Sequence, residues 1–249
     1  MSKTSSHKWY AFVPNLITLF NLICGIIAIY FAFQHKIEIA LFIMFAGAFF
    51  DFIDGFTARL LKVSGELGKQ LDSLADMVTF GLLPGIMIFS IQQNLLLEQA
   101  GSYQHFSIIQ WIYLISPVLI PAFSALRLAK FNIDTRQSHS FIGLPTPANA
   151  LFFASISWSV SYDNNILSSL FANPLVIAIL SVIFSLLLIS EIPMFSLKFS
   201  SLKGKENVIR YFFLVCSLFL ILTLRISGIT AVVLFYIVLS ILSNLFVKK

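Results

Sequence analysis

Long apolar stretches, separated by short polar segments, make up most of the chain. The stretches approach the roughly 20 residues that an α-helix needs to cross a bilayer, and the fifth is the shortest. This pattern predicts an all-α, polytopic integral membrane protein with about eight transmembrane helices. The predicted spans cover residues 15–33, 37–61, 67–91, 107–129, 146–160, 170–189, 208–224 and 229–247.

The composition supports a membrane protein. Of the 249 residues, 58% are hydrophobic and only 11% are charged, whereas a soluble domain carries about 25% charged residues. The mean hydropathy is +0.92. We therefore expect a single transmembrane domain over residues 1–249, with the last two spans at its periphery.

Lysine and arginine are unevenly distributed between the loops. An even number of spans puts both termini on one side, and of the 16 Lys and Arg residues all but Lys36 and Arg225 fall on that side. The positive-inside rule then predicts a multi-pass protein of the cell membrane with both termini in the cytoplasm. The net charge of +5 suits contact with anionic membrane lipids. Because the basic residues are scattered and not interleaved with aromatic residues, no nucleic-acid partner is predicted.

Five of the eleven acidic residues lie between positions 51 and 76, and four of them are aspartates. Asp51 and Asp54 are three residues apart near the end of the second span. Asp72 and Asp76 are four residues apart near the start of the third span. Both spacings place the two carboxylates on one helix face. Two such faces turned towards each other would gather four carboxylates, which near the bilayer centre cost on the order of 10 kcal/mol if uncompensated.

Divalent cations are the simplest compensation for such a cluster. Mg²⁺ and Mn²⁺ take carboxylate oxygens, and Mg²⁺ is typically completed by substrate phosphates. Four carboxylates suit two ions about 3.5–4 Å apart, an arrangement used for phosphoryl displacement. One alternative is that the aspartates are caps and surface charges at helix ends, but their regular spacing and the flanking apolar runs speak against it. Another is a divalent-cation carrier, although no second copy of the acidic motif suggests an internal repeat.

The complete motif reads Asp51-x2-Asp54-Gly55-x2-Ala58-Arg59-x8-Gly68-x3-Asp72-x3-Asp76. It resembles the signature of the CDP-alcohol phosphatidyltransferase family, with no position missing. The resemblance implies a dinuclear Mg²⁺ or Mn²⁺ site that faces the cytoplasm among the first spans. It also implies displacement of CMP from a CDP-linked lipid by an alcohol, and a homodimer.

The same resemblance assigns roles within the motif. Asp51, Asp54 and Asp72 resemble metal ligands, and Asp76 resembles both a metal neighbour and the general base. A base is chemically needed because a hydroxyl is a weak nucleophile at neutral pH. The residues implied to bind the CDP-lipid are Asn15, Thr18, Gly55, Ala58, Arg59 and Gly68. Alternatives remain for these residues: helix packing for the small ones, snorkelling for Arg59, and interfacial capping for Asn15 and Thr18.

Three segments beyond the motif, residues 73–84, 125–132 and 141–148, resemble the branch of the family that uses L-serine as the acceptor and CDP-diacylglycerol as the donor. Arg127, Lys130 and Asn132 are candidates to bind the serine carboxylate or a lipid phosphate. The two cationic side chains have a plainer alternative, which is to fix topology. The same chemistry with glycerol 3-phosphate or inositol phosphate as acceptor remains open. The Gly143-Leu-Pro-Thr-Pro segment is predicted to bend the chain before the fifth span.

Overall fold

The computed structural model describes residues 12–63, 65–134, 141–163, 166–195 and 207–247. Over these ranges the chain is almost entirely helical, as predicted. The helices are α1 (Val13–Phe33), α2 (Ile37–Leu61), α3 (Glu66–Asp76), α4 (Leu83–Ala100), α5 (Ile108–Ile115), α6 (Leu119–Ile133), α7 (Thr146–Tyr162), α8 (Ile166–Phe171), α9 (Pro174–Ile189), α10 (Asn207–Leu224) and α11 (Gly228–Val247).

Five helical stretches are long and apolar enough to cross a membrane. They are Val13–Phe33, Ile37–Leu61, Glu66–Ala100, Ile108–Ile133 and Asn207–Asn244. α9 is apolar but shorter. Many large apolar side chains lie on the outer surface, such as Phe20 and Phe52, which are 45% and 66% exposed, and a lipid environment accommodates them. The protein is therefore an all-α membrane protein, while the number of eight crossings stays a prediction.

The third of these stretches changes its helical geometry in the middle. α3 continues without a break into a π-helical stretch, Met77–Leu82, which leads into α4. Pro84 follows this stretch by two residues, and its missing backbone N–H leaves one helical hydrogen bond unmade there. π-helical stretches are rare and occur often at functional sites. Here the stretch starts at the residue that follows Asp76.

α1, α2 and the π-helical stretch meet at two glycines. A Cβ atom on Gly25 would lie 2.5 Å from Thr79 Oγ1, and one on Gly47 would lie 3.0 Å from Thr79 Cγ2. The Thr79 hydroxyl donates a hydrogen bond to the backbone oxygen of Asn21 at 3.2 Å. Close approach of α1 to the π-helical stretch therefore requires glycine at position 25, and the contact at Gly47 is tight as well.

Replacing Gly25 by Val should lower stability by about 1–3 kcal/mol, the usual cost of overpacking a tight interior contact. Thermal unfolding of the purified protein in detergent would measure the effect. Gly55→Ala is the matched stability control, since a Cβ atom there meets nothing within 4 Å. Equal unfolding temperatures for the Gly25 variant and the unmodified protein would contradict the tight contact.

A two-residue antiparallel bridge joins distant parts of the chain. β1 (Phe141–Ile142) pairs with β2 (Pro193–Met194), with Phe141 opposite Met194. Gly143 follows with a φ of 76°, and a Cβ atom there would lie 2.6 Å from the backbone oxygen of Leu188. α7 then begins with proline in its first turn. The predicted bend before this helix is thus confirmed, and glycine is needed for both the φ angle and the space.

α10 and α11 form a hairpin at the end of the described chain. The helices meet through ring contacts of Phe213 with Phe235 and Tyr236, with centroids 5.8 Å apart in both pairs. We expected both helices at the periphery. α10 exposes many large apolar side chains, whereas α11 contributes Val233, Tyr236 and Ile237 to the buried core.

Candidate active site

Three carboxylates converge where α2 meets α3. One ligand atom each from Asp51, Asp72 and Asp76 lie within 4.8 Å of one another. Asp72 and Asp76 share a face of α3 because they are four residues apart, and α1 packs beside both helices. Asp51 lies within hydrogen-bonding range of the other two carboxyl groups. We call Asp51, Asp72 and Asp76 the carboxylate triad.

Asp54 lies next to the triad but outside it. Its side chain is 5% exposed, and its Oδ2 accepts a hydrogen bond from the Thr18 hydroxyl at 2.5 Å. It is still close enough to repel Asp51 and Asp72 electrostatically. We predicted that Thr18 binds the CDP-lipid. In this structure its hydroxyl bonds directly to Asp54 and orients that carboxylate.

Asn21 contributes a second contact from α1. Its side chain is fully buried, and Nδ2 donates to Asp76 Oδ1 at 3.4 Å. The Asn21 Oδ1 atom is buried without a hydrogen-bond partner. The spacing of three residues from Thr18 to Asn21 could have indicated this contact, since it puts both side chains on one face of α1. No sequence pattern indicated that Thr79 would pack against Gly25 and bond to the backbone oxygen of Asn21.

The donor set of the triad fits a hard divalent cation. Carboxylate oxygens are preferred by Mg²⁺, Mn²⁺ and Ca²⁺, and carboxylates this close need positive charge between them. A cluster of this kind in a membrane protein marks a functional site. The acidic cluster is thus able to hold a metal ion.

The small residues of the motif differ in their surroundings. A Cβ atom on Gly68 would lie 3.0 Å from Asn15 Oδ1, so Gly68 allows a close approach of α1 to α3. Gly55 has open space in front of it instead. Among the described residues, no neighbouring helix packs closely enough against Gly55 to explain the glycine. Ala58 is partly buried and Arg59 is exposed near the end of α2.

Arg127 lies buried between α6 and α7, with 7% of its surface exposed. Its Nη1 donates to Thr146 Oγ1 at 3.2 Å, and the guanidinium lies 5.2 Å from the centroid of the Phe131 ring. It also attracts the Asp76 carboxylate electrostatically. An arginine that is buried and bonded to Thr146 in this way does more than fix topology at a membrane surface.

A cavity of about 330 Å³ lies beside Arg127. Among the described residues, its charged lining residues are Arg127, Lys130, Asp134 and Glu191, two of each sign. Ile142 of β1 and Ser190 after α9 also line it. We call this cavity the mixed-charge pocket. Arg127 connects it to the triad because the same side chain lines the pocket and attracts Asp76.

Asn132 is not one of the described residues that line the mixed-charge pocket. Its Nδ2 donates to Ser73 Oγ at 2.8 Å, and its backbone oxygen accepts from Lys69 Nζ at 2.5 Å. Ser73 is adjacent to Asp72. Asn132 therefore ties the end of α6 to α3 and supports the triad from the outside.

The fold and the site define a helical membrane protein with a carboxylate cluster that is able to hold a metal ion. A sequence model of the CDP-alcohol phosphatidyltransferase family matches residues 11–189, and the chain belongs to this family. The match ends with α9, so α10 and α11 lie outside it.

Curated relatives support the same assignment. The chain is 32% identical over 181 residues to the CDP-diacylglycerol–serine O-phosphatidyltransferase of Bacillus subtilis (strain 168), covering 73% of this chain and 88% of that protein. It is 34% identical over 141 residues to the protein of the same name from Helicobacter pylori (strain J99), covering 55% of this chain and 54% of that protein. Identity to the archaetidylserine synthase of Methanothermobacter thermautotrophicus is 30% over 146 residues, or 57% and 56% of the two chains. The chain thus matches about half the length of the last two relatives.

Proposed function

We propose that this protein transfers the phosphatidyl group of CDP-diacylglycerol to the hydroxyl of L-serine, giving phosphatidylserine and CMP. Family membership supports the general reaction, and the names of the relatives support serine as the acceptor. The observation that carries the proposal is the carboxylate triad, whose clustered oxygens are able to hold a divalent cation.

The triad is the proposed metal site, with Asp54 beside it. Asp51, Asp72 and Asp76 would hold two Mg²⁺ or Mn²⁺ ions, with Asp54 as a further ligand once its bond to Thr18 is released. Bound divalent cations supply charge neutralisation for the diphosphate and for the departing CMP. Gly55 leaves room for the nucleotide, and exposed Arg59 offers its guanidinium to a phosphate.

Asp76 is the proposed general base. Its carboxylate takes the proton of the serine hydroxyl while the hydroxyl oxygen bonds to the phosphorus that carries the diacylglycerol. The bond from that phosphorus to the oxygen of CMP breaks, and CMP leaves with the electron pair. Asn21 donates to one oxygen of Asp76, which fixes the direction in which the carboxylate faces the acceptor.

The charges of the pocket favour a zwitterionic acceptor. The carboxylate of serine would lie against Arg127 and Lys130, and its ammonium group against Glu191 or Asp134. A phosphorylated acceptor such as glycerol 3-phosphate lacks the ammonium group that Glu191 or Asp134 would bind. The pocket therefore favours serine over the phosphorylated alternatives.

Glu191→Gln should raise the KM for serine by about tenfold, because a charge-assisted hydrogen bond to the ammonium group is weakened. The KM for 3-hydroxypropionate, which lacks the ammonium group, should not change. Glu98→Gln is the matched control, since Glu98 is exposed near the end of α4 and is not a lining residue of the pocket. Equal effects of Glu191→Gln on both acceptors would remove Glu191 from ammonium recognition.

The orientation in the membrane is part of the proposal. The distribution of Lys and Arg supports a cell-membrane protein with both termini and the turn between α2 and α3 in the cytoplasm. Serine and the CDP headgroup would enter from that side, and the acyl chains would lie between helices and lipid.

A homodimer follows from the family resemblance, and crosslinking in intact membranes would test it.

The decisive experiment measures CMP release by purified protein from CDP-diacylglycerol with Mn²⁺ or Mg²⁺, with one acceptor at a time. Serine-dependent release with phosphatidylserine as the lipid product is the expected result. Release only with glycerol 3-phosphate or inositol phosphate would keep the metal site and overturn the serine assignment. No release with any acceptor would favour the divalent-cation carrier.

A further inference from the structure

α11 reaches across to the strand that follows α9. The Tyr236 hydroxyl donates to the backbone oxygen of Phe195 at 2.9 Å. Asn244 Nδ2 donates to the backbone oxygen of Pro193 at 2.5 Å. Tyr236 and Asn244 are eight residues apart and therefore share one face of α11. One helix face thus holds both ends of the short segment Pro193–Phe195.

That segment is joined in turn to the start of α7. β2 pairs with β1, with Ile142 opposite Pro193. The Gly143 backbone N–H donates to the oxygen of Ile192 at 2.9 Å, and that of Leu144 donates to the oxygen of Leu187 at 3.0 Å. A bridge of two residues is marginal by itself, so its position depends on the contacts around it. The two side-chain hydrogen bonds from α11 are such contacts.

The joined segments form one wall of the mixed-charge pocket. Ile142, Ser190 and Glu191 line the pocket and belong to the chain around β1 and β2. Thr146, which accepts the hydrogen bond from Arg127, follows Leu144 by two residues and is fully buried. A shift of β1 would therefore move both the pocket wall and the partner of Arg127.

We propose that Tyr236 and Asn244 are positioning residues for the acceptor. Their hydrogen bonds hold the β1–β2 bridge in place, and the bridge in turn holds the pocket wall and Thr146 in the geometry that binds the acceptor. The family match ends at residue 189, so this device belongs to a part of the chain that the family pattern does not describe. The proposal rests on the proposed function in so far as the pocket is taken as the acceptor site.

A role in packing alone predicts a different outcome from a positioning role. If α11 only stabilises the bundle, loss of its hydrogen bonds lowers the unfolding temperature and impairs both substrates alike. If it positions the pocket wall, the loss acts on the acceptor, because the carboxylate triad and the CDP-lipid residues lie on α1, α2 and α3. The KM values for the two substrates therefore separate the two roles.

The test uses the full-length protein in lipid nanodiscs and the variants Tyr236→Phe, Asn244→Leu and their combination. The combined variant should raise the KM for serine by about tenfold, the factor expected for two net hydrogen bonds. The KM for CDP-diacylglycerol, kcat and the unfolding temperature should stay close to those of the unmodified protein. Asn244→Gln, which keeps the donor, should recover part of the loss.

Ser243→Ala is the matched control, since the Ser243 hydroxyl donates to Ser240 within its own helix. An unchanged KM for serine in the combined variant would overturn the proposal. So would a parallel rise in both KM values together with a lower unfolding temperature. If the unmodified protein uses only a phosphorylated acceptor, the serine assignment is wrong. The positioning role of Tyr236 and Asn244 is then tested by the KM for that acceptor in the same variants.

Discussion

Asp76→Asn is expected to lower kcat by about 10²–10⁴-fold, the usual contribution of a general base. Asparagine keeps the shape of the side chain and an oxygen that accepts from Asn21, but it does not take a proton. CDP-diacylglycerol binding should persist because Asp51 and Asp72 remain. Single-turnover CMP release with bound Mn²⁺, combined with equilibrium binding of the CDP-lipid, would measure both quantities.

Glu98→Gln serves as the control for Asp76→Asn, because it removes one carboxylate at the other end of the same long helical stretch. If Asp76→Asn turned over at a rate near that of the unmodified protein, the assignment of the base would be wrong. If binding of the CDP-lipid vanished together with turnover, Asp76 would act mainly as a metal ligand.

Asp72→Ala is expected to weaken metal binding and CDP-lipid binding together. It removes one of three carboxylates whose oxygens lie within 4.8 Å of one another. Loss of a residue that only supports a metal ligand typically costs 10–100-fold in affinity, so loss of a direct ligand should raise the Mn²⁺ requirement by at least about tenfold. Titration of Mn²⁺ against CDP-diacylglycerol binding would measure this effect.

Asp54→Asn provides the informative comparison. Asp54 lies outside the triad and is held by Thr18, so its replacement should raise the Mn²⁺ requirement less than Asp72→Ala does. An equal loss would mean that Asp54 turns into the site when metal binds. Unchanged metal affinity in Asp72→Ala would remove Asp72 from the ligand set.

The sequence predicted those parts of the molecule that depend on local periodicity. Apolar stretches identified the helices, and the spacing from Asp72 to Asp76 put two carboxylates on one helix face. The sequence led us to expect four carboxylates where the two faces meet, and the structure brings Asp51, Asp72 and Asp76 together with Asp54 beside them.

Contacts between distant segments could not be predicted in this way. The hydrogen bond from Thr18 to Asp54 and the close fit of Gly25 against Thr79 depend on how α1 lies on its neighbours. The β1–β2 bridge joins residues about 50 positions apart, and two-residue strands leave no alternating pattern. No sequence motif indicated that α11 contacts the segment beside the pocket. Its side chains bond to backbone oxygens, and because every residue has a backbone oxygen, such contacts leave no mark in the sequence.

Small residues show the same limit. Gly55 and Gly68 are equivalent in the motif, where either could serve a ligand or a helix contact. In the structure, Gly68 faces Asn15 and Gly55 faces open space. Only the position of the neighbouring helix separates the two roles.

The π-helical stretch after Asp76 ties the direction of the carboxylates to the packing of α4. Each residue of an α-helix turns the chain by about 100°, and a π-helical stretch accommodates a residue that a regular α-helix would not. The number of residues in this stretch thereby sets the rotation of α3 relative to α4. Deletion of one residue in Met77–Leu82 would rotate the carboxylates away from Asp51 while α4 kept its fit in the core. The length of the stretch is thus as necessary to the site as the aspartates themselves.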